Sequence, residues 1–386
     1  MGATFLGYVR PDGKVGVRNH VVVIPSVACV NGVVANIAKM VPEVVPIFHG
    51  HGCGRSLEAS LHTKVLAHLG KNPNVAAVLV VGLGCEVIKA DSLASIIATS
   101  GKPVQWFNVQ EKGGSRKAAE KGAEICRHFL SIAKSCPRTP CQVDKLTIGL
   151  ECGGSDAFSG VTANPAVGIA SDWIVDEGGT VILTEDTEMI GTSHILASRA
   201  IDEEVKAKTV EMVAEAEQLT KDLLGPLASL VIAPGNMDGG MSTIQEKSLG
   251  CITKAGSRPI VEVVGYGEPP SRPGVVLMDG PGYDAESLPG LAAAGSQIIV
   301  FTTGRGTPLG FPICPVIKVA SNSRLFTSMR DDMDVNAGEV LEGRELSEVG
   351  QEIIRLITEV ASGQPTRAEA NAQGGIVCLY TLHPPF

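Results

Sequence analysis

Leu146-Thr147-Ile148-Gly149-Leu150-Glu151-Cys152-Gly153-Gly154-Ser155-Asp156 is the stretch on which the reading of this chain turns. The run 146–150 is apolar and strand-like, Gly153-Gly154 is a turn, and a helical pattern opens near Asn164-Pro165 and reaches about Asp176. Strand, glycine turn and helix in that order form the repeating unit of a parallel sheet. A turn of this kind lines up backbone N–H groups that suit a carboxylate or a phosphate. A thiol and two carboxylates at the same turn, Cys152 with Glu151 and Asp156, suit a metal as well. The plainer alternative is a tight turn around a buried cysteine.

The same unit recurs upstream. Apolar strands are expected at His20–Pro25, at about 43–48, at Val75–Gly82 and at Val104–Val109. Helical stretches follow at roughly 31–41, 57–70, up to 100 and 115–134. Near-continuous apolar strands alternating with helices indicate a parallel sheet buried on both faces. Ser135-Cys-Pro-Arg-Thr-Pro-Cys141 interrupts the pattern with two prolines and reads as a linker. The fold expected is α/β: a parallel Rossmann-like sheet domain over residues 1–140, then a second, larger α/β catalytic domain over 141–386. Strands of that second part are expected at 146–150, 180–184, 259–264, 275–279, 297–302 and 316–319, with a short one near 376–381.

Composition narrows the function. The 386 residues are 44% hydrophobic, 19% charged and only 4% aromatic, with 45 glycines. That mixture builds close-packed layers and backbone-lined loops rather than aromatic binding faces. A net charge of −9 disfavours a nucleic-acid surface. No run of about 18 apolar residues is present to span a membrane. The start Met-Gly-Ala-Thr-Phe-Leu-Gly-Tyr8 has no export signal, and ten cysteines without one imply a reducing, cytoplasmic setting with free thiols. Ser26-Val-Ala-Cys-Val-Asn-Gly32 has a single glycine after the first strand, which argues against a nicotinamide dehydrogenase.

In parallel sheets, sites gather at the C-terminal strand ends. Cys53 lies in Gly52-Cys53-Gly54, Cys85 in Gly84-Cys85-Glu86, and Cys152 stands before Gly153. Three thiolates from three such loops are able to hold one iron or a cluster with a position open to substrate. The competing reading is three small buried residues. The other seven cysteines, Cys251 among them, lack this context and read as structural. His49 and His51 precede Cys53 and are candidates for a ligand or a general base.

Glu151-Cys-Gly-Gly-Ser-Asp-Ala-Phe-Ser-Gly-Val-Thr-Ala-Asn-Pro-Ala-Val-Gly168 resembles the signature of the galactarate dehydratase/altronate dehydratase family of sugar-acid hydro-lyases. Val17-Arg-Asn19, Gly52-Cys-Gly54, Gly82-Leu-Gly-Cys-Glu86, Glu246-Lys-Ser-Leu-Gly250 and Phe301-Thr-Thr-Gly-Arg-Gly-Thr307 carry the resemblance along nearly the whole chain. It implies loss of water from a 2,3-dihydroxy acid to give a 2-keto-3-deoxy acid, with dependence on iron as Fe2+ or an iron–sulfur cluster. The chain resembles a large subunit that pairs with a small subunit carrying a further N-terminal domain, in a homo- or hetero-oligomer. Two alternatives stay open: the large subunit of a sulfolactate sulfo-lyase, and a non-catalytic subunit that only binds acidic sugars.

Such an elimination needs a base for the α-proton, an acid for the departing hydroxyl and positive charge on the carboxylate. On this reading Cys53, Cys85 and Cys152 hold the metal. Lys247 or His49 moves the proton, and Glu188 orients a donor. Arg18 with Asn19, and Thr303 with Arg305, bind carboxylates, while Ser155, Asp156 and Asn164 bind hydroxyls.

Overall fold

The computed structural model describes residues 2–230 and 232–384. Among the described residues, fourteen strands form three sheets. They are β1 (Thr4–Val9), β2 (Val15–Gly16), β3 (His20–Pro25), β4 (Val45–Pro46), β5 (Val75–Gly82), β6 (Val104–Asn108), β7 (Thr139–Gln142), β8 (Thr147–Gly153), β9 (Thr180–Leu183), β10 (Ile260–Val264), β11 (Gly274–Met278), β12 (Ile298–Thr303), β13 (Val316–Ala320) and β14 (Val335–Asn336).

The first parallel sheet has the order β4-β3-β5-β6. Its interior strands are valine-rich and buried at nearly every position, which is why they read as continuous apolar runs. Helices Asn31–Met40 and Ser115–Lys134 cover one face through Val34, Ile37 and Phe129; Ala59–Lys71 and Ala90–Ala98 cover the other through Leu66, Leu69 and Ile97.

The second parallel sheet has seven strands in the order β10-β11-β9-β8-β12-β13-β14. β8 pairs with β9 on one side and β12 on the other: the chain leaves β8 toward one edge of the sheet and later returns to the opposite side of it through β12. A crevice opens at the C-terminal end of a strand where the order reverses in this way. Buried side chains of Leu66 and Leu93 on the first sheet's helices share an apolar cluster with Met278, Leu288 and Phe301 of the second part, so one core runs between the two sheets.

Two sequence expectations change. The stretch expected as a linker contains β7, which pairs antiparallel with β1, from Thr4 opposite Gln142 to Gly7 opposite Thr139. Its prolines are tolerated because this small three-stranded sheet leaves β7 at an edge. The strand expected near 376–381 does not form; this segment lies as irregular chain, and Val377 N–H donates to Phe48 O at 2.7 Å.

Candidate active site

The crevice end of the second sheet collects the reactive groups. β8 ends in Cys152 and Gly153, β9 leads into Glu185 and Glu188, and β12 ends at Thr303 before Gly304-Arg305. The helix Ile244–Cys251 closes the crevice, started by Thr243, whose hydroxyl accepts the Glu246 N–H. Lys247 and Cys251 lie four residues apart on that helix and therefore share a face.

Cys152 Sγ, Glu188 and Cys251 Sγ are mutually within 4.8 Å and all three are buried. The two sulfurs are 3.3 Å apart and stand 2.5 and 2.9 Å from Glu188 Oε2. The other oxygen of Glu188, Oε1, forms an ion pair with Lys247 Nζ. Glu188 is therefore a bridge, with one oxygen on the sulfurs and one on the amine. Lys254 Nζ, fully buried, pairs with Glu185 Oε2 at 3.4 Å.

The charges follow from this arrangement. Burial by itself would lower Lys247, but the Glu188 carboxylate and the two thiols outweigh it and hold the amine above its ordinary range. Burial would raise Glu188, yet Lys247 and then Lys254 keep it ionised. Between the two touching thiols, Cys251 is the one held above its ordinary range, by its hydrogen bond to Cys152 and by burial. Cys152 is the more acidic one: burial and the Glu188 charge oppose this, and the Cys251 hydrogen bond with the charges of Lys254 and Lys247 prevails.

The three sulfurs expected to share a metal do not come together. Cys53 and Cys85 sit exposed on first-sheet loops, joined where Val87 N–H donates to Gly52 O at 3.1 Å, whereas Cys152 ends a strand of the other sheet. Neither Cys53 nor Cys85 belongs to a set of three donor atoms within 4.8 Å among the described residues. The partner of Cys152 is Cys251, a residue expected from the sequence to be structural. Its signal was present: it falls one helical turn beyond Lys247.

Several other expected roles are taken up by the fold itself. His49 is fully buried; its Nε2–H donates to Pro25 O at 2.7 Å and Nδ1 accepts the His51 N–H at 3.1 Å. Burial pushes it down to about 4, so it is a neutral brace with no free nitrogen. Arg18 uses each of its five N–H groups within the protein: two on Glu369, at 2.7 and 2.8 Å, and one each on the carbonyls of Val17, Val360 and Gln364. It ties the start of β3 to the C-terminal helix and has no donor left for a substrate. Asn19 accepts from Arg10 and donates to Ala133 O. Asn164 donates to Gly250 O and accepts from Thr302, and Thr303 Oγ1 accepts the Gly306 N–H.

Ser155 is buried with its hydroxyl 3.8 Å from Cys152 Sγ. Asp156 is a hub: it accepts from the Ser159 N–H and hydroxyl, the Ser321 hydroxyl and Asn322 Nδ2. It lines a cleft of about 470 Å3 together with Phe158, Gly304, Arg305, Arg324 and Leu325. Arg305 and Arg324 are both exposed there, and among the described residues neither guanidinium has an acceptor. Arg305 stands between glycines because each side is packed: a Cβ at Gly304 would meet Asp156 Cγ at 2.3 Å, and Gly306 has φ of 89° against Met329. Arg324 also lines this cleft, and nothing near it in the chain marks it.

A strand-switch crevice with a buried amine–carboxylate pair, two thiols and a basic cleft is a candidate for catalysis. The residues 143–382 match the family model described as "D-galactarate/Altronate dehydratase, C-terminal", and residues 7–134 match "D-galactarate dehydratase/Altronate hydrolase, second domain". The chain is 36% identical to the altronate dehydratase of Escherichia coli (strain K12), over 94% of this chain and 75% of that one. It is 38% identical to the altronate dehydratase of Bacillus subtilis (strain 168), over 95% and 76%. It is 35% identical to the (2R)-sulfolactate sulfo-lyase subunit beta of Chromohalobacter salexigens, over 96% and 95%. The protein is an enzyme of the carbon–oxygen lyase class. It belongs to the D-galactarate/altronate dehydratase family. No helix among the described residues is long and apolar enough to cross a membrane.

Proposed function

We propose that this chain removes water from a sugar acid of the altronate or galactarate type, a 2,3-dihydroxy acid, and releases a 2-keto-3-deoxy acid. The observation that carries this is the buried Lys247–Glu188 ion pair at the crevice end of β8, together with a cleft holding two arginines without an acceptor among the described residues. The pair is a proton relay. Glu188 Oε1 takes the proton from the carbon beside the carboxylate, and Lys247 Nζ gives one to the departing hydroxyl. Transfer across the ion pair then restores the resting state. Arg305 and Arg324 hold the substrate carboxylate, and the burial of Glu188 and Lys247 strengthens the interaction between those two charges.

Iron is the metal we propose. Cys152, Cys251 and Glu188 Oε2 would hold it, a mixed sulfur–oxygen set of the kind that suits a borderline transition metal. When bound, it would supply Lewis-acid polarisation of the substrate's oxygens. A partner subunit is also proposed, because the sulfo-lyase relative matched over 95% of its length is named as a subunit beta. That relative supports a second reading, loss of sulfite from 3-sulfolactate, since two arginines in one cleft also suit a substrate with a second anionic group.

The test is turnover of altronate, galactarate and 3-sulfolactate by the chain with Fe2+ under reducing, anaerobic conditions, alone and with a candidate small subunit. A keto-acid product that disappears in Cys152→Ser together with bound iron supports the reading. Normal iron content and turnover in that variant would sink the ligand assignment, and sulfite release without keto-deoxy acid would favour the second reading.

A further inference from the structure

One lysine of the second sheet stands where the pattern calls for an apolar residue. Lys318 lies on β13 opposite Phe301 of β12 and has no exposed surface. Val316, two residues earlier and therefore on the same face, belongs with Phe301 and Phe311 to the apolar cluster between the two sheets. The Lys318 ammonium has three donors, yet among the described residues it has a single acceptor, Pro308 O at 3.1 Å. The charged groups that face it are Asp334 and Asp332. Asp334 spends both its oxygens on backbone, Oδ2 on the Lys318 N–H at 2.8 Å and Oδ1 on the Arg367 N–H at 2.9 Å.

Such a lysine costs the fold stability. Burial lowers the amine to about 8, with Asp334 and then Asp332 working against the shift. Below that value both the folded and the unfolded chain carry the charge, and only the folded one has stripped it of water. The cost is therefore present in full at neutral pH and fades as pH rises from about 8 toward the ordinary lysine range. An apolar side chain of similar length would pack there without it. Stability does not account for a charge at this position.

What the amine holds is the loop that carries Arg305. The near limb of that loop is fixed by Gly154 O, which accepts the Gly304 and Arg305 N–H groups at 3.1 and 2.8 Å. The Gly306 N–H turns back onto Thr303 Oγ1. Pro308 beyond it is exposed, and there Lys318 Nζ ties the far limb to β13. The Gly310 N–H on Gln373 O closes the loop. We propose that Lys318 is a positioning residue: through Pro308 it holds the far limb of the loop 304–310, so that the Arg305 guanidinium stays in the cleft where the substrate carboxylate binds. This role rests on the substrate contact given to Arg305 above. A charged donor holds a carbonyl about twice as firmly as a neutral one. A binding group held in place loses less freedom when the substrate arrives.

The test compares Lys318→Met, and Lys318→Arg, which keeps the charge, with the unmodified chain. Amide hydrogen exchange over 304–310 needs no turnover. It is expected to quicken by about tenfold in Lys318→Met and to return most of the way in Lys318→Arg. The melting temperature of Lys318→Met at neutral pH is expected to equal or exceed that of the unmodified protein. With a sugar-acid substrate, KM is expected to rise roughly tenfold in Lys318→Met while kcat changes by less than about twofold. In the unmodified enzyme KM is expected to climb as pH passes about 8, where the amine loses its proton, and Lys318→Met is expected to show no such step. Unchanged exchange over 304–310 would overturn the proposal. So would a lowered melting temperature with unchanged KM, which would make Lys318 a structural brace. Arg305→Ala separates the two readings: if its KM is unchanged, the role of Arg305 fails, while the exchange measurement still decides whether Lys318 holds the loop.

Discussion

Both parallel sheets end in glycine-flanked loops that carry thiols, yet they differ in what surrounds them. At the first sheet, Cys53 and Cys85 point into solvent, and the neighbouring His49 spends both ring nitrogens on backbone. At the second, Cys152, Cys251, Glu188 and Lys247 are packed out of water and fix one another's charge. The first set of loops satisfies His49 and Glu86 on neighbouring backbone. The second cannot, because its partners come from three separate chain segments, and it holds ionised groups where they interact most strongly. Reactive residue types at strand ends therefore do not by themselves mark a site; burial of mutually dependent charges does.

The strongest way to break this comparison is Lys247→Met. It should lower kcat by about 10²- to 10⁴-fold, the usual weight of a positioned proton-transfer group. Iron content should stay unchanged, since Nζ is not among the metal donors; near-normal turnover would return the proton role to the first sheet. Next, Arg305→Ala and Arg324→Ala should each raise KM by roughly 10- to 100-fold, the loss of a charged hydrogen bond of about 1.5–3 kcal/mol. The kcat should change less than KM, and an effect in neither variant would show that the cleft does not hold substrate.

His49→Gln tests the opposite side. The folded protein keeps His49 neutral down to about pH 4, whereas an unfolded histidine takes its proton near 6.5. Between those values the unfolded state binds the extra proton, so acidification destabilises the fold by ~1.4 kcal/mol per pH unit through this residue. Above 6.5 the effect vanishes. Chemical denaturation of His49→Gln from pH 7 to 4.5 should give a shallower decline, with turnover at pH 7 retained. The smallest effect is expected from Cys53→Ser and Cys85→Ser: within about 0.5 kcal/mol in stability, as for exposed positions. Iron content should match the unmodified protein, and its loss in either would place the metal at the first sheet after all.

The α/β class was legible because periodicity is a local property. Val75–Gly82 is apolar throughout since both its faces are covered, and the Gly153-Gly154 turn announces the β8 crossover. Lys247, Glu188 and Arg305 were picked from motif context and lie around the crevice. Arg18, Asn19 and Asn164 are polar residues in the same kind of context, but their hydrogen bonds go to carbonyls and side chains as far as 351 positions away in the chain. No local pattern records that.

The residues alone determined the strand–turn–helix alternation, the placing of thiols and acids at strand ends, and the lysine one turn ahead of Cys251, since these depend on neighbours within a few positions. Only the tertiary structure decided which ends meet. Strand order in the second sheet puts β9 and β12 on either side of β8, and the helix Ile244–Cys251 folds over them. Cys152 consequently faces Cys251 and Glu188 instead of the first-sheet thiols, because proximity between loops is set by the order of hydrogen-bonded strands and not by resemblance of their turns.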